Sequence, residues 1–209
     1  MEAHRPTPPT PGESHDERAG TETAFIEALA RLAPPGPILD LASPGLVAAT
    51  ELAALGRKVL RVVPEEGAGA RGALPEGVSR VHGDPGNPGL PQSSMSGVLA
   101  STTLLPLADT ELDDALGEIA RMLTPGGIAV LGFTMSHAGQ HPRRVGCWSG
   151  YHDAAARARD AGLDVSLRYA RTRMPGAGAS WERALLLARR LATVPSDCRV
   201  QRMRGGAPE

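Results

Sequence analysis

The chain has 209 residues, of which 41% are hydrophobic, 22% charged and 3% aromatic, with a net charge of −1. That length supports one domain with a substantial core, built from Leu, Val, Ile and Ala because aromatic rings are scarce. A near-zero charge excludes a general electrostatic drive toward nucleic acid or an anionic membrane, and no apolar run reaches the length of a membrane span.

Lys58 is the only lysine, so almost all positive charge is arginine, a coding bias rather than a phosphate-binding device. The first residues lack the charged-then-apolar pattern of a secretory signal, which predicts a cytoplasmic protein. Cys147 and Cys198 are not spaced as a CxxC pair and read as free thiols.

Residues 1–20, with Pro6, Pro8, Pro9 and Pro11, predict a disordered leader. A helix is expected over Thr21–Leu32, where Phe25, Ile26, Leu29 and Leu32 recur at helical spacing, and Pro34-Pro35-Gly36-Pro37 ends it. Strand and helix then alternate. Ile38–Leu41 is a short apolar strand, Leu46–Leu55 a helix closed by Gly56, and Lys58–Val63, Val78–His82 and Gly97–Ser101 are further strands. Glu111–Leu123 is an amphipathic helix with Leu112, Ala115, Leu116, Ile119, Ala120 and Leu123 on one face. Pro125-Gly126-Gly127 turns the chain into strand Ile128–Phe133. A helix over Tyr151–Ala161 and two strands, Leu163–Tyr169 and Arg183–Ala188, close the domain as an antiparallel pair. The pattern predicts a three-layer α/β domain over residues 21–191, with about seven mostly parallel strands, followed by a flexible tail over 192–209. In such sheets ligands bind beyond the carboxyl ends of the strands, at the switch in strand order.

Other motifs carry less. Gly67-Ala-Gly69-Ala-Arg-Gly72 matches a dinucleotide loop letter for letter, but Leu74-Pro75-Glu76-Gly77 does not open a helix after it, and it reads as a loop. His137 and His141 are four apart, yet Gly139 and Pro142 argue against a helix and no third ligand is evident, so no metal site is expected. Arg143-Arg144 and Arg171–Arg173 read as solvated surface.

The residues resemble a known family. The segment Ala115-Leu-Gly-Glu-Ile-Ala-Arg-Met-Leu-Thr-Pro-Gly-Gly-Ile-Ala-Val-Leu131 is similar to the fourth helix, Pro-Gly-Gly turn and fifth strand of class I S-adenosylmethionine-dependent methyltransferases. Ile38-Leu-Asp-Leu41 resembles their first strand, Glu51-Leu-Ala-Ala-Leu-Gly56 their first helix, and His82-Gly83-Asp84 their Gly-Asp at adenine. The resemblance spans roughly residues 22–190. It implies a Rossmann-like methyltransferase fold, S-adenosylmethionine as cofactor and a small-molecule substrate. It places Asp40, Ala42, Ser43, Gly45, Glu65, Asp84 and Ser101 around the cofactor. Asp40 and Asp84 also suit plain turn roles. His137 or His152, in the connection after the fifth strand, would accept a proton from the substrate. Trp148 and Tyr151 would wall an apolar substrate or staple that connection to the next helix.

The departures are equally specific. Ala42, Pro44 and Leu46 stand where the family's first loop has glycines, whose missing Cβ lets backbone approach the cofactor. Val63 stands where an acid would hold the ribose hydroxyls, and Ser96 where an acid precedes the fourth strand. Two functions follow: a small-molecule methyltransferase, or a cofactor-free pseudoenzyme that binds or scaffolds, alone, as a homodimer or with a protein partner. A repurposed pocket for a non-methyl-transfer step is a variant of the second.

Overall fold

The structure is a computed structural model, which describes residues 14–41, 45–63, 73–102, 104, 107, 109–135, 147–148, 151–174 and 181–192. In chain order these form α1 (Ser14–Leu32), β1 (Ile38–Asp40), α2 (Val47–Ala54), β2 (Val59–Val63), β3 (Val78–His82), β4 (Met95–Ala100), α3 (Asp109–Met122), β5 (Leu123–Met135), β6 (Cys147–Trp148), α4 (Tyr151–Asp160), β7 (Leu163–Met174) and β8 (Trp181–Arg190). They make one sheet in the order β3-β2-β1-β4-β5-β8-β7, with the two-residue β6 pairing β5 beside that path. Strands β1 to β5 are parallel, and β8 is antiparallel to both β5 and β7. The expected α/β architecture with its antiparallel closing hairpin is therefore present.

Residues 14–20 of the expected leader belong to α1, which starts before Thr21. The run Ser14-His-Asp-Glu17 has the spacing of a capping box, and no proline interrupts the chain from there to Pro34. Phe25, Ile26 and Leu29 are buried as expected, whereas Leu32 is 41% exposed and Ala33 takes the inner position. The rest of the leader, the Gly67–Gly72 loop and residues 193–209 of the tail lie outside the described residues.

Alternation along each strand sorts side chains between two cores. Ile38, Val59, Leu99, Ile128, Val130, Leu185 and Leu187 meet α1 and α2 on one face. Leu39, Leu41, Val98, Ala100, Ala129, Leu131, Phe133, Leu186 and Ala188 meet α3 and α4 on the other. Leu112, Leu116 and Ile119 of α3 are fully buried there, each worth about 2 kcal/mol of transfer free energy. The small Ala154, Ala155 and Ala158 let α4 lie close on the same face. Asp113 of α3 accepts from Arg157 of α4 at 3.0 Å, joining the two helices.

The connection from β3 to β4 is unusual. Leu90 packs into the α3/α4 core, so this crossover runs over that face, yet no helix forms between 83 and 94. The segment is an extended loop that descends beside α3. Its lower end is tied down where the Arg121 guanidinium donates to the Leu90 carbonyl and the Ser93 N–H donates to the Arg121 carbonyl at 2.9 Å. The opposite face is held by Arg57. Its guanidinium donates to the carbonyls of Ala30, Ala33, Pro34 and Gly36 and to Ser96 Oγ at 3.0 Å. It thereby satisfies the orphan carbonyls at the end of α1 and in the proline turn.

Two glycine sites fix β5. Gly126, at φ +77, lies in an excursion that separates the pairs Met95–Leu123 and Gly97–Ile128, so the Pro-Gly-Gly turn is a bulge within the strand. At Gly132 a Cβ would stand 1.8 Å from the Ser101 carbonyl oxygen. The chain leaving β4 folds tightly over β5 there.

Gly132→Ala is expected to lower stability by about 3 kcal/mol, because rigid backbone must move to admit the methyl group. Gly117→Ala, on the exposed side of α3 with nothing within 4 Å, should raise it by roughly 0.5–1 kcal/mol through helix propensity. Urea unfolding of both variants checks the pair. A second expectation concerns Glu51 on α2. Burial, then the charges of Glu22 and Glu27, push its carboxyl above the ordinary carboxylate range, and Oε2 has no partner among the described residues. The folded state thus holds a proton that the unfolded chain releases, and stability falls as pH rises through the raised value. Glu51→Gln should unfold about 1–2 °C higher at neutral pH, with the difference vanishing below the ordinary carboxylate range. Thermal melts across pH 3–8 test it.

Candidate functional site

The carboxyl ends of β1 and β4 are neighbours at the switch in strand order, and the loop after β3 reaches the same end of the sheet. A cavity of about 640 Å³ opens there. Leu41 comes from the end of β1, Asp84–Asn87 from the loop after β3, and Thr102, Leu104 and Leu107 from the chain after β4. Glu111, Asp114, Ala115, Glu118, Ile119 and Met122 of α3 complete the wall. Among the described residues, four carboxylates and no Lys, Arg or His line it.

The cavity exists because the β3–β4 crossover carries no helix. A helix in that place would pack about 8–10 Å from α3 and fill the space. The loop instead tightens into a turn at its top. Asp84 Oδ1 accepts from the Gly86 N–H at 2.9 Å, and the Asp84 carbonyl accepts from the Asn87 N–H at 3.0 Å. The aspartate holds the turn and remains exposed at the cavity mouth.

Asp40 is placed differently. It is fully buried, and the Arg61 guanidinium donates to its Oδ2 at 2.9 Å. The two residues are register partners across parallel strands β1 and β2, and Arg61 is 13% exposed. Asp40 therefore lies beside the cavity wall without lining it. Ser101, just beyond β4, is also fully buried, and its hydroxyl has no partner among the described residues. Gly45, at φ +67, shapes the entry to α2, and Leu46 is half-buried. Among the described residues no side chain caps the α2 N-terminus. Val63 ends β2 as a buried apolar residue, and its carbonyl accepts from the Gly83 N–H at 3.1 Å.

Ser96 is displaced from its expected role. It lies near the amino end of β4, opposite the cavity mouth. Its hydroxyl donates to the Pro37 carbonyl at 2.9 Å while accepting from Arg57. Its departure from the family pattern thus concerns packing at the far edge of the sheet. His152 falls in the first turn of α4. Ala42, Ser43, Pro44, Glu65 and His137 lie outside the described residues. Spacing alone did not mark Glu111, Asp114 and Glu118 as cavity residues, since a charged helix face ordinarily meets solvent. Among the described residues no group of three or more His, Cys, Asp or Glu is arranged to hold a metal ion, and no helix is long and apolar enough to cross a membrane.

The fold is that of the class I S-adenosylmethionine-dependent methyltransferases. The solved [4+2]-cyclase SpnF is similar to this chain with a TM-score of 0.65 and 18% identity, over 89% of this chain and 86% of the cyclase. The Burkholderia thailandensis 1,6-didemethyltoxoflavin-N1-methyltransferase, solved with 1,6-didemethyltoxoflavin and S-adenosylhomocysteine, gives 0.60 and 19%, over 85% and 84%. A sarcosine dimethylglycine methyltransferase assigned in Galdieria sulphuraria gives 0.61 and 16%, over 84% and 85%. No protein-family model and no curated protein sequence matches the chain. At these identities the likeness establishes the fold and leaves the chemistry to the site.

Removing one partner of the Asp40–Arg61 pair strands the other charge in the interior. Arg61→Ala is expected to cost about 3 kcal/mol in stability, and Asp40→Asn in that background should recover part of the loss. A double-mutant cycle by chemical denaturation measures the coupling.

Proposed function

We propose that this chain binds S-adenosylmethionine at the mouth of the cavity and acts as a methyltransferase on a small molecule. The observation that carries the reading is the convergence of Leu41, Asp84 and Thr102 near the strand-order switch, in a wall whose described residues include carboxylates and no basic group. Such a wall suits a sulfonium cation and disfavours the phosphates of a dinucleotide.

The residues fit the adenosine half of the cofactor. Asp84 would accept from the adenine amine, with Leu41 and Leu104 as apolar walls. Ala42, Ser43 and Gly45 would carry the first loop along the cofactor, and Glu65 would take the ribose hydroxyls. The Ser101 hydroxyl supplies a buried donor and acceptor at the end of β4. When bound, S-adenosylmethionine supplies an electrophilic methyl group. The chain's own part is positioning, exclusion of water and one proton acceptor, assigned to His137 or His152.

A second reading draws on Asp40. Its carboxylate is held by Arg61 and lines no part of the cavity, which weighs against the place around the cofactor that the resemblance implies for it. With a cyclase among the similar structures, this favours a pocket used for another step, or a binding protein without catalysis.

Isothermal titration calorimetry with S-adenosylmethionine and S-adenosylhomocysteine separates the readings. Saturable binding, weakened about tenfold by Asp84→Ala, is expected. No heat and no thermal shift at millimolar ligand overturns the cofactor reading. Binding without methyl transfer to any of a panel of amines, phenols and carbon acids supports the second.

A further inference from the structure

Helix α2 is apolar almost all the way round. Its eight residues carry one charge, Glu51, and a helix of that composition is ordinarily covered on every side. The sheet covers one side, where Ala48, Ala49 and Leu52 are buried. On the other, Val47, Thr50, Ala54 and, just past the end, Leu55 are exposed. Val47 is 68% exposed and Leu55 50%; with Leu32 at the end of α1 they are the exposed large hydrophobic residues among those described. Val47, Glu51 and Leu55 follow one another at four-residue spacing along this outer stripe, a length of about 12 Å. Thr50 and Ala54 beside them are small enough to let a second helix come close.

Charge is unevenly placed along this face. Helices α1 and α2 both finish at the amino edge of the sheet, where the Arg57 guanidinium binds the last carbonyls of α1. That foot carries Arg31, Arg57 and Lys58 against Glu76, an excess of positive charge. Above it stand Glu51 and, on α1, Glu22 and Glu27, whose charges act on Glu51. The sheet beneath α2 adds Arg61 and Arg80, register partners on the face of Val59, and Arg61 already donates to Asp40.

A stripe that reads apolar, acid, apolar is the same from either end, and its basic foot suits the acids above it. Both properties fit a second copy of this chain laid antiparallel. We propose that two copies associate through α2 about a two-fold axis at Glu51, with Val47 of each copy packed on the partner's Leu55. The foot of each copy then lies beside the acidic stretch of the other. The two Glu51 carboxyls meet at the axis, where two ionised groups repel and one shared proton turns the pair into a hydrogen bond. Burial and the charges of Glu22 and Glu27 already raise the Glu51 carboxyl in the single chain, and pairing raises it further. Association is therefore full below the single-chain value and is lost as pH rises through the value in the pair. Two short helices make a small interface, so the dimer is weak and concentration-dependent. The inference does not rest on the cofactor reading, since the cavity lies on the other face of the sheet.

Sedimentation velocity of the full chain over about 5–500 μM, at about pH 5 and about pH 8, tests it. Association is expected at the lower pH and should weaken at least about tenfold at the higher. Val47→Asp and Leu55→Lys, each at an exposed position, should separately leave the chain monomeric, with a melting temperature within about 2 °C of the unaltered protein. Mixed in equal amounts, the two variants should associate again. The antiparallel register sets the introduced carboxylate against the introduced ammonium at one contact and keeps the native Val47–Leu55 contact at the other. Glu51→Gln should associate at both pH values, its amides pairing without a proton. An unaltered chain that is monomeric at both pH values, association that survives either single variant, or a mixture that stays monomeric would each overturn the proposal. So would the same pH dependence in Glu51→Gln as in the unaltered chain. Titration with S-adenosylmethionine is a separate experiment, so failure of either reading is seen without the other.

Discussion

One guanidinium sets the frame in which the other elements find their places. Arg57 follows the turn that ends α2, yet it bonds to carbonyls at the end of α1, to the proline turn that leads into β1, and to Ser96 at the start of β4. Helix carbonyls and proline-turn carbonyls are acceptors with no donors of their own nearby, and a planar fork of five N–H groups answers several at once. The result anchors the amino ends of β1 and β4 side by side. The cavity opens at the opposite, carboxyl ends of these strands.

The two faces of the sheet meet different fates from that common frame. On the α1/α2 face the packing is closed, and even the acid of β1 is turned into structure by Arg61. On the other face one crossover does without a helix, and the cavity follows from that omission. Carboxylates of α3 that would meet only water on an ordinary surface helix line this cavity instead. An aspartate in a conspicuous sequence position is bound into the sheet by Arg61.

Much of the fold was legible because it rests on local signals. A short apolar run marked Ile38–Leu41, segments set off by turns and helices marked Val78–His82 and the closing hairpin, and helical spacing marked α3, with errors of a few residues at element ends. The Pro-Gly-Gly segment was read correctly as a turn; its place as a bulge inside a longer strand depends on pairing with β4, which spacing along one chain does not encode. The site was less legible for the same reason. Asp40 and Arg61 meet only through the register of two strands, and Ser96 meets Pro37 and Arg57 through three separate segments. The cavity is written in what the 83–94 segment lacks, and its acidic wall is visible only once α3 is laid against that loop. A register argument pairing the strand at 38–41 with that at 58–63 would have brought Asp40 and Arg61 together from sequence.

The strand order also governs when the sheet can be completed. β8, residues 181–190, is the last of the strands to be synthesised, yet it lies between β5 and β7 rather than at an edge. Until it emerges from the ribosome, β7 has no partner within the described sheet, and the flank of β5 facing β8 offers unpaired backbone from Ile128 to Met135. Between the synthesis of Met135 and that of Trp181 the nascent chain thus carries an open, apolar strand edge, the kind of surface that chaperones bind and that self-association exploits.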